Sequence, residues 1–491
     1  MAIYKLMKLV LTNIKTYCHF VEYPKISWLG IRRSEPCPRT SFRGHGPLLQ
    51  SAFLATLLAS SGYAQAADLL ETFRAAQAND PVFAAARATQ QAGKEKLSQG
   101  RSLLMPSINL TANSTFTDLT TRYNPSMPPL LMGGTNRYNS NGYGVTLVQP
   151  LFREQNWQVY SESELQATQA GLQLKIAQQD LIVRVAQAYF DVLIAQDSVG
   201  LVDAQKTAIS EQLQQAKRNF EVGSATITDT LEAQSRYDLT GAQEIAAQNN
   251  LEIKRSALQQ LINSAPGELD HLGKDLTLEA PQPASMEKWV SEAQLTSLQL
   301  AIAQAGAEIA DREVSRNRGG HLPTVDLVAN YSKNNANGSS FGIGTDTTSK
   351  TVGVQLNMPL FEGGAINSKW REAEANRERA RQELENARRN VEQQTRQAYL
   401  GVVSGIAQVQ ALKQAVTSSQ SVLDASKLGQ EVGVRTNLDV LNAQQQLYST
   451  RRDLYQAQYN YLMSELRLKQ AVGTLGEADL GKVNQALTGT R

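Results

Sequence analysis

Proline, aromatic residues, histidine and cysteine are all scarce in this chain of 491 residues, and each scarcity excludes something. Aromatics make up only 6% of the sequence, too few for one thick globular core. Residues 154–220 contain no proline at all, so nothing there forbids a helix of unusual length. The two cysteines, Cys18 and Cys37, both precede residue 67, which leaves the rest without a disulfide framework or thiolate metal site. Beyond residue 66 the only histidines are His271 and His321, each in a linker or strand-entry context. With no G-x-S-x-G, H-E-x-x-H or P-loop pattern beside them, an enzyme reading finds no support, and no metal or cofactor is expected.

Residues 1–66 differ in texture from the rest of the chain. "LLQSAFLATLLASSGYAQA" has a short apolar core, preceded by Arg39 and Arg43 and closed by Ala64-Gln65-Ala66. That pattern predicts a secretory signal cleaved after Ala66, because the apolar run is too short for a permanent membrane anchor. The stretch before residue 44 is long for a signal, so a translation start further downstream is expected. Taking this segment's eight basic and two acidic residues from 48 and 46 leaves 40 against 44. The remainder then carries a net charge of −4, and the chain's apparent basicity implies nothing about nucleic acid. Neither cysteine follows a lipobox-like pattern, so no lipid anchor is expected.

The remainder is a tandem duplication. Pro150-Leu151-Phe152 recurs as Pro359-Leu360-Phe361 at an offset of 209. "QAYFDVL" from Gln187 recurs as "QAYLGVV", and "EVGSATITDTLEAQ" from Glu221 as "EVGVRTNLDVLNAQ", both at 210. "LMPSINLTANST" recurs as "HLPTVDLVANYS" at 217. Four matches in order give a first repeat over 67–280 and a second over 281–481, joined within 264–286, with 482–491 an uninformative tail. Each repeat opens with a moderate helix (68–103, broken at "NDP", or 286–317). Two strands follow (106–118 and 141–152, or 323–333 and 350–361), then two helices (153–221 and 226–263, or 365–431 and 436–472).

The strands alternate apolar and polar residues. Ile108, Leu110, Ala112 and Phe116 alternate with Asn109, Thr111, Asn113 and Thr115, and Val352, Val354, Leu356 and Met358 with Thr351, Gly353, Gln355 and Asn357. Each segment is about ten residues, the length of a tilted outer-membrane strand. Four strands cannot close a barrel, which needs about eight, and an open edge cannot be satisfied in lipid. Several chains must therefore share one barrel. The loops 120–140 and 333–349, rich in Pro, Gly, Asn and Ser, suit its exterior. The long helices carry no continuous leucine seam, which fits staves of a wide cylinder better than a two-stranded coiled coil.

This order, performed twice behind a signal, resembles the TolC family of outer-membrane exit ducts. The most specific stretch runs from Val432 to Leu480, and the likeness covers essentially all of 68–481. The resemblance implies an α+β membrane protein in which three protomers share a twelve-stranded β-barrel and a long α-helical periplasmic barrel. It implies a homotrimer in the outer membrane, recruited by a periplasmic adaptor and an inner-membrane ABC or RND transporter for type I secretion or efflux. The turns at Gly223 and Gly433 are the implied adaptor-docking sites. Thr228 and Asp229 facing Arg435 are the implied gate contacts, the gate tyrosine being replaced by Gln430. Asp439 is the implied pore-ring acid, with Asn442 where a second acid is expected, halving the ring charge. Pro150, Leu151 and Phe152, with Pro359, Leu360 and Phe361, are expected where barrel strands hand over to helices. The competing readings are a soluble periplasmic structural coiled-coil protein and a periplasmic adaptor, which would carry one hairpin rather than two.

Overall fold

The computed structural model describes residues 68–122, 134–273, 276–340 and 343–487. The expected leader, with its cleavage point at Ala66 and both cysteines, lies outside them. Each repeat begins with a pair of helices: α1 Leu69–Asn79 and α2 Pro81–Ser102 in the first, α5 Met286–Thr296 and α6 Leu298–Arg318 in the second. Strands β1 Ser107–Thr121 and β2 Gly134–Phe152 are matched by β3 Thr324–Ala336 and β4 Thr345–Asn357. Helices α3 Glu154–Glu221 and α4 Ile227–Ile262 are matched by α7 Ala365–Glu431 and α8 Asn437–Val472, and α9 Glu477–Leu487 closes the described chain. With 68 and 67 residues, α3 and α7 are each about 100 Å long. Among the described residues no helix is long and apolar enough to cross a membrane.

The break between α1 and α2 was expected from "NDP", and its chemistry is explicit. Asp80 caps α2 by accepting from the Phe83 amide at 3.0 Å, while Pro81 supplies a first-turn residue that needs no amide bond. The break between α5 and α6 was not expected, since "LTSLQ" contains neither proline nor glycine. Its cause is tertiary. Gly473, with φ +88°, brings the end of α8 against the chain at Ser297, where a Cβ would lie 2.6 Å from the Thr296 carbonyl. The Thr296 hydroxyl donates to the Val472 carbonyl at 2.7 Å, tying the kink to that helix end.

The strands form one antiparallel sheet in the order β1-β2-β3-β4, with β1 and β4 at its edges. They extend beyond the expected segments: β2 starts at Gly134 rather than 141, and β1 runs to Thr121. The outermost rungs, Leu119 with Asn136, Thr120 with Thr135 and Thr121 with Gly134, are mostly polar and carry no apolar alternation to announce a strand. One face of the edge strands is apolar and open. Leu110 is 72% exposed, Phe116 66%, Val352 69%, Val354 65% and Leu356 66%.

The main core sits where the helices of both repeats meet. Tyr189, Phe190, Tyr459, Tyr461, Leu181, Leu466 and Leu480 are almost wholly buried there. Two tyrosines strap the inter-repeat linker onto it. Tyr189 accepts from the Asp270 amide at 3.0 Å and donates to its carbonyl at 3.3 Å. Tyr461 does the same with Glu279, both bonds at 3.0 Å. Helix α9 adds Leu480, Val483 and Leu487, so residues 482–487 complete the core, a role that their sequence did not announce.

Asp80 is buried beneath Arg184, whose Nη2 lies 2.7 Å from Oδ2. Burial alone pushes this carboxyl up, but Arg184 and the Phe83 amide outweigh it and hold it below its ordinary value of 3.8. A depressed carboxylate stabilises the fold above that value and loses the contribution as pH falls below it. Arg184→Met leaves the carboxylate buried without its counter-ion. It should cost about 3 kcal/mol in denaturant unfolding at neutral pH, with the deficit shrinking below pH 3.8; an unchanged midpoint would contradict this role.

Candidate functional site

Two parts of the fold are candidates for function: the pair of helical turns, α3–α4 and α7–α8, and the zone where strands give way to helices. The turns are built alike. Gly223 and Gly433 adopt φ +74° and +79°, the left-handed conformation that glycine tolerates without strain. A Cβ at either would meet nothing within 4 Å, so it is backbone conformation rather than crowding that calls for glycine. The amides after each glycine fold back onto one carbonyl. Ser224 and Ala225 donate to Asn219 at 2.8 and 3.2 Å, and Val434 and Arg435 to Gly429 at 2.9 and 3.0 Å.

Both following helices start with a capping box. Thr226 accepts from the Asp229 amide at 3.2 Å while Asp229 Oδ2 accepts from the Thr226 amide and hydroxyl at 2.9 and 2.7 Å. Thr436 and Asp439 repeat this at 3.2, 2.9 and 2.9 Å. Asp229 and Asp439, expected to act as gate and ring acids, are thus equivalent helix-start residues. The threonine amide and hydroxyl, with Arg435 alongside, hold the Asp439 carboxyl below its usual 3.8. The T-x-x-D spacing in "TITD" and "TNLD" is the sequence signal for these caps.

Around these caps the repeats diverge. Arg435 is exposed, and its ion-pair partner within the chain is Asp439 at 3.8 Å rather than Asp229. Its side chain lies across Gly429, where a Cβ would sit 2.6 Å from Arg435 Cγ. The equivalent positions in the first repeat are Asn219 and Ala225, so neither the glycine nor the long cationic side chain has a counterpart there. Gln430 donates to Asn437 Oδ1 at 3.4 Å, and Thr228 is exposed on the first turn of α4. Asn442 Oδ1 accepts from Arg236 Nη2 at 3.0 Å, and Arg236 Nη1 also reaches Gln445. Arg236, on α4, therefore joins the two hairpins just above the turns. Neither it nor Gly429 was anticipated, because Arg236 acts across to the other hairpin and Gly429 through the returning arm of its own.

The two Pro-Leu-Phe triplets have different fates. The first belongs to β2, where a bulge sets Pro150 opposite Asp326 and Phe152 opposite Val325. Arg153 follows it and grips Asp326 with two bonds, Nε to Oδ1 at 2.8 Å and Nη2 to Oδ2 at 2.6 Å. The second triplet follows the end of β4 at Asn357, and Leu360 and Phe361 are 89% and 87% exposed. The contrast follows from pairing, since β2 has β3 beside it and β4 is an edge. His321 contacts Asn367 Oδ1 at 3.1 Å through Nε2, and His271 Nδ1 lies 3.9 Å from Asp197 in the linker. Among the described residues no cluster of His, Cys, Asp or Glu could hold a metal ion.

Comparison with known proteins agrees with this architecture. The family model for outer membrane efflux proteins matches residues 72–264 and 289–474, the two repeats. The outer membrane protein TolC of Vibrio cholerae is 36% identical over 445 residues, covering 90% of this chain and 98% of the relative. The proteases secretion protein PrtF of Dickeya chrysanthemi is 31% identical over 432 residues, covering 86% and 91%. Among solved structures, the Campylobacter jejuni CmeC outer membrane channel superposes with a TM-score of 0.71 at 16% identity, over 85% of this chain and 89% of that one, and so shares the fold. The chain belongs to the TolC family of outer membrane efflux proteins.

Proposed function

We propose that three copies of this chain close a twelve-stranded barrel in the outer membrane and continue into the periplasm as one helical conduit. The chain is an outer-membrane exit duct of the kind used in type I secretion or tripartite efflux. A periplasmic adaptor engaging the Gly223 and Gly433 turns would couple it to an inner-membrane ABC or RND transporter. Cargo passes through without bond-making chemistry. The observation that carries the reading is a four-stranded sheet, open at both edges and apolar on one exposed face, in a chain whose helices reach about 100 Å. In planar bilayers the purified chain should give discrete channels that require detergent for isolation. A soluble rod without channel activity would favour a structural coiled-coil protein instead.

At the periplasmic end, Arg435 is the mobile member of the proposed gate, reaching toward Asp229 and Thr228 of an adjacent hairpin, with Gln430 in place of an aromatic partner. Arg435→Ala should raise single-channel conductance several-fold, and unchanged conductance would remove Arg435 from the gate. Asp439 supplies the ring charge. Its depressed pKa keeps that charge in place at neutral pH, so block by a trivalent cation should titrate away only as pH falls below 3.8.

Arg236 alters what is expected at Asn442. Its guanidinium, 3.0 Å from Asn442 Oδ1, would neutralise much of a carboxylate introduced there. Asn442→Asp alone should strengthen trivalent-cation block only modestly. Combined with Arg236→Gln it should do so several-fold more. Equal block in the single and double variants would show that Arg236 does not screen this position.

A further inference from the structure

The internal repeat carries more than an evolutionary record, because it can be used as a ruler. Adding 217 to β1 positions and 209 to β2 positions carries Ser107↔Val148 onto Thr324↔Asn357, which is the observed first rung between β3 and β4. The offsets read from sequence therefore map one observed ladder onto another without slip. The remaining in-chain ladder joins β2 to β3. The same offsets carry β2 onto β4 and β3 back onto β1, and these are the two unpaired edges.

We infer that β4 pairs with β1 of a second copy of this chain in one defined register, in which Asn357 faces Thr111, Val354 faces Ser114, Thr351 faces Thr117, and Lys350 faces Asp118. This rests on the shared-barrel reading and specifies its joint. The template rungs are Val148↔Val328, Val145↔Tyr331, Gly142↔Asn334 and Asn141↔Asn335.

Two features of the residues themselves support the register, and neither was used to derive it. First, it keeps Met358, Leu356, Val354 and Val352 on one face with Leu110, Ala112, Ser114 and Phe116; a shift by one residue in either direction would set each of the first four opposite a polar side chain. Second, the apolar band ends at the same rung on both strands. Phe116 and Val352 are its last members, and the next same-face pair is Asp118 with Lys350, of opposite charge. The next such positions but one, Arg122 and Asp346, are again opposite in charge.

Within one chain the two edge charges already have neighbours. Asp118 accepts from Arg137 Nε at 2.9 Å, and Lys350 Nζ stands 5.8 Å from the centre of the Tyr331 ring. Pairing the edges joins these into one row, Arg137, Asp118, Lys350 and Tyr331, across the joint. The in-chain seam is arranged the other way round. Its ion pair, Arg153 with Asp326, lies at the helix end, and Asn141 with Asn335 occupies the rung that corresponds to Lys350 with Asp118. At the helix end of the inter-chain seam the equivalents of Arg153 and Asp326 are Glu362 and Asn109, which cannot form that ion pair. Unlike charges on β1 and β4 also disfavour two copies meeting through identical edges, where like charges would face each other.

Disulfide trapping tests the register, in a chain whose Cys18 and Cys37 are replaced by serine. Thr351→Cys with Thr117→Cys and Val354→Cys with Ser114→Cys are two in-register pairs. They lie three positions apart, so one of them is a non-hydrogen-bonded rung, where the strands approach closest. Both shifted pairs, Thr351→Cys with Thr115→Cys and Val354→Cys with Ala112→Cys, place the thiols beyond disulfide reach at roughly 7–8 Å. Mild oxidation of the membrane-inserted protein should link copies covalently through at least one in-register pair and through neither shifted pair. Linking only through a shifted pair would overturn the register. A trimer on native gels that no pair links would overturn the joint while leaving the duct intact, whereas absence of any oligomer would refute the duct itself. As a second readout, Lys350→Glu should lower the temperature at which the trimer dissociates in detergent, and adding Asp118→Asn should restore most of it. No restoration would place Lys350 opposite some other residue.

Discussion

The backbone along β1 and β4 is the constraint on which the rest of this molecule depends. Each edge presents a row of amide and carbonyl groups, and in hydrocarbon there is no water to satisfy them. A soluble sheet can blunt an edge with a charge or a covering loop, but a membrane sheet has to close. Four strands of this length cannot curl far enough to meet, so closure has to come from further copies. The apolar face of the edge strands, open to the surroundings in one chain, then becomes the lipid-facing wall.

The duplication makes that closure economical. Because β3 and β4 repeat β1 and β2, the contact between repeats within a chain serves as the pattern for the contact between chains. The core does not follow this plan: Tyr189 and Tyr461 occupy non-equivalent positions of the two repeats, yet each holds the backbone of one linker residue with a donated and an accepted bond. The proposed gate also sits in departures from symmetry. The two turns share glycine geometry and capping boxes, yet only the second carries Arg435 lying over Gly429. The second triplet is the barer of the two, because β4 is an edge on the side where β2 has β3. A six-fold arrangement of identical hairpins could not place a cation on alternate coils, and a three-fold arrangement of unlike ones can.

Much of this was legible in the residues. Period-two alternation marked the apolar, exposed bands of the edge strands, and proline-free stretches with a Val-Gly break marked the long helices and their turns. What the sequence concealed has a physical pattern. Strand ends beyond the apolar band are held by a backbone ladder through mostly polar rungs, such as Thr120 with Thr135 and Thr121 with Gly134, which leave no alternation to read. The kink at Ser297 is imposed by the close approach of Gly473, nearly two hundred residues away. Arg236 looks like one more solvated helix charge until α4 and α8 are side by side. The capping boxes belong to a different class, since their spacing is present in the residues but is masked by the charge of the same acids.

That double use of the two acids limits how the proposed gate can move. Asp229 and Asp439 each spend one carboxylate oxygen on the start of a helix, accepting from a threonine amide and hydroxyl at once. Pulling either acid away to make or break a gate contact would break the reciprocal half of its capping box, the bonds from the threonine amide and hydroxyl. The contacts that can change without that loss are those made by the long cations, Arg435 at 3.8 Å from Asp439 and Arg236 across the hairpins. In this reading the acids are fixed points and the arginines are the moving parts. The hairpins would separate as rigid units, turns included, with their capped helix starts intact.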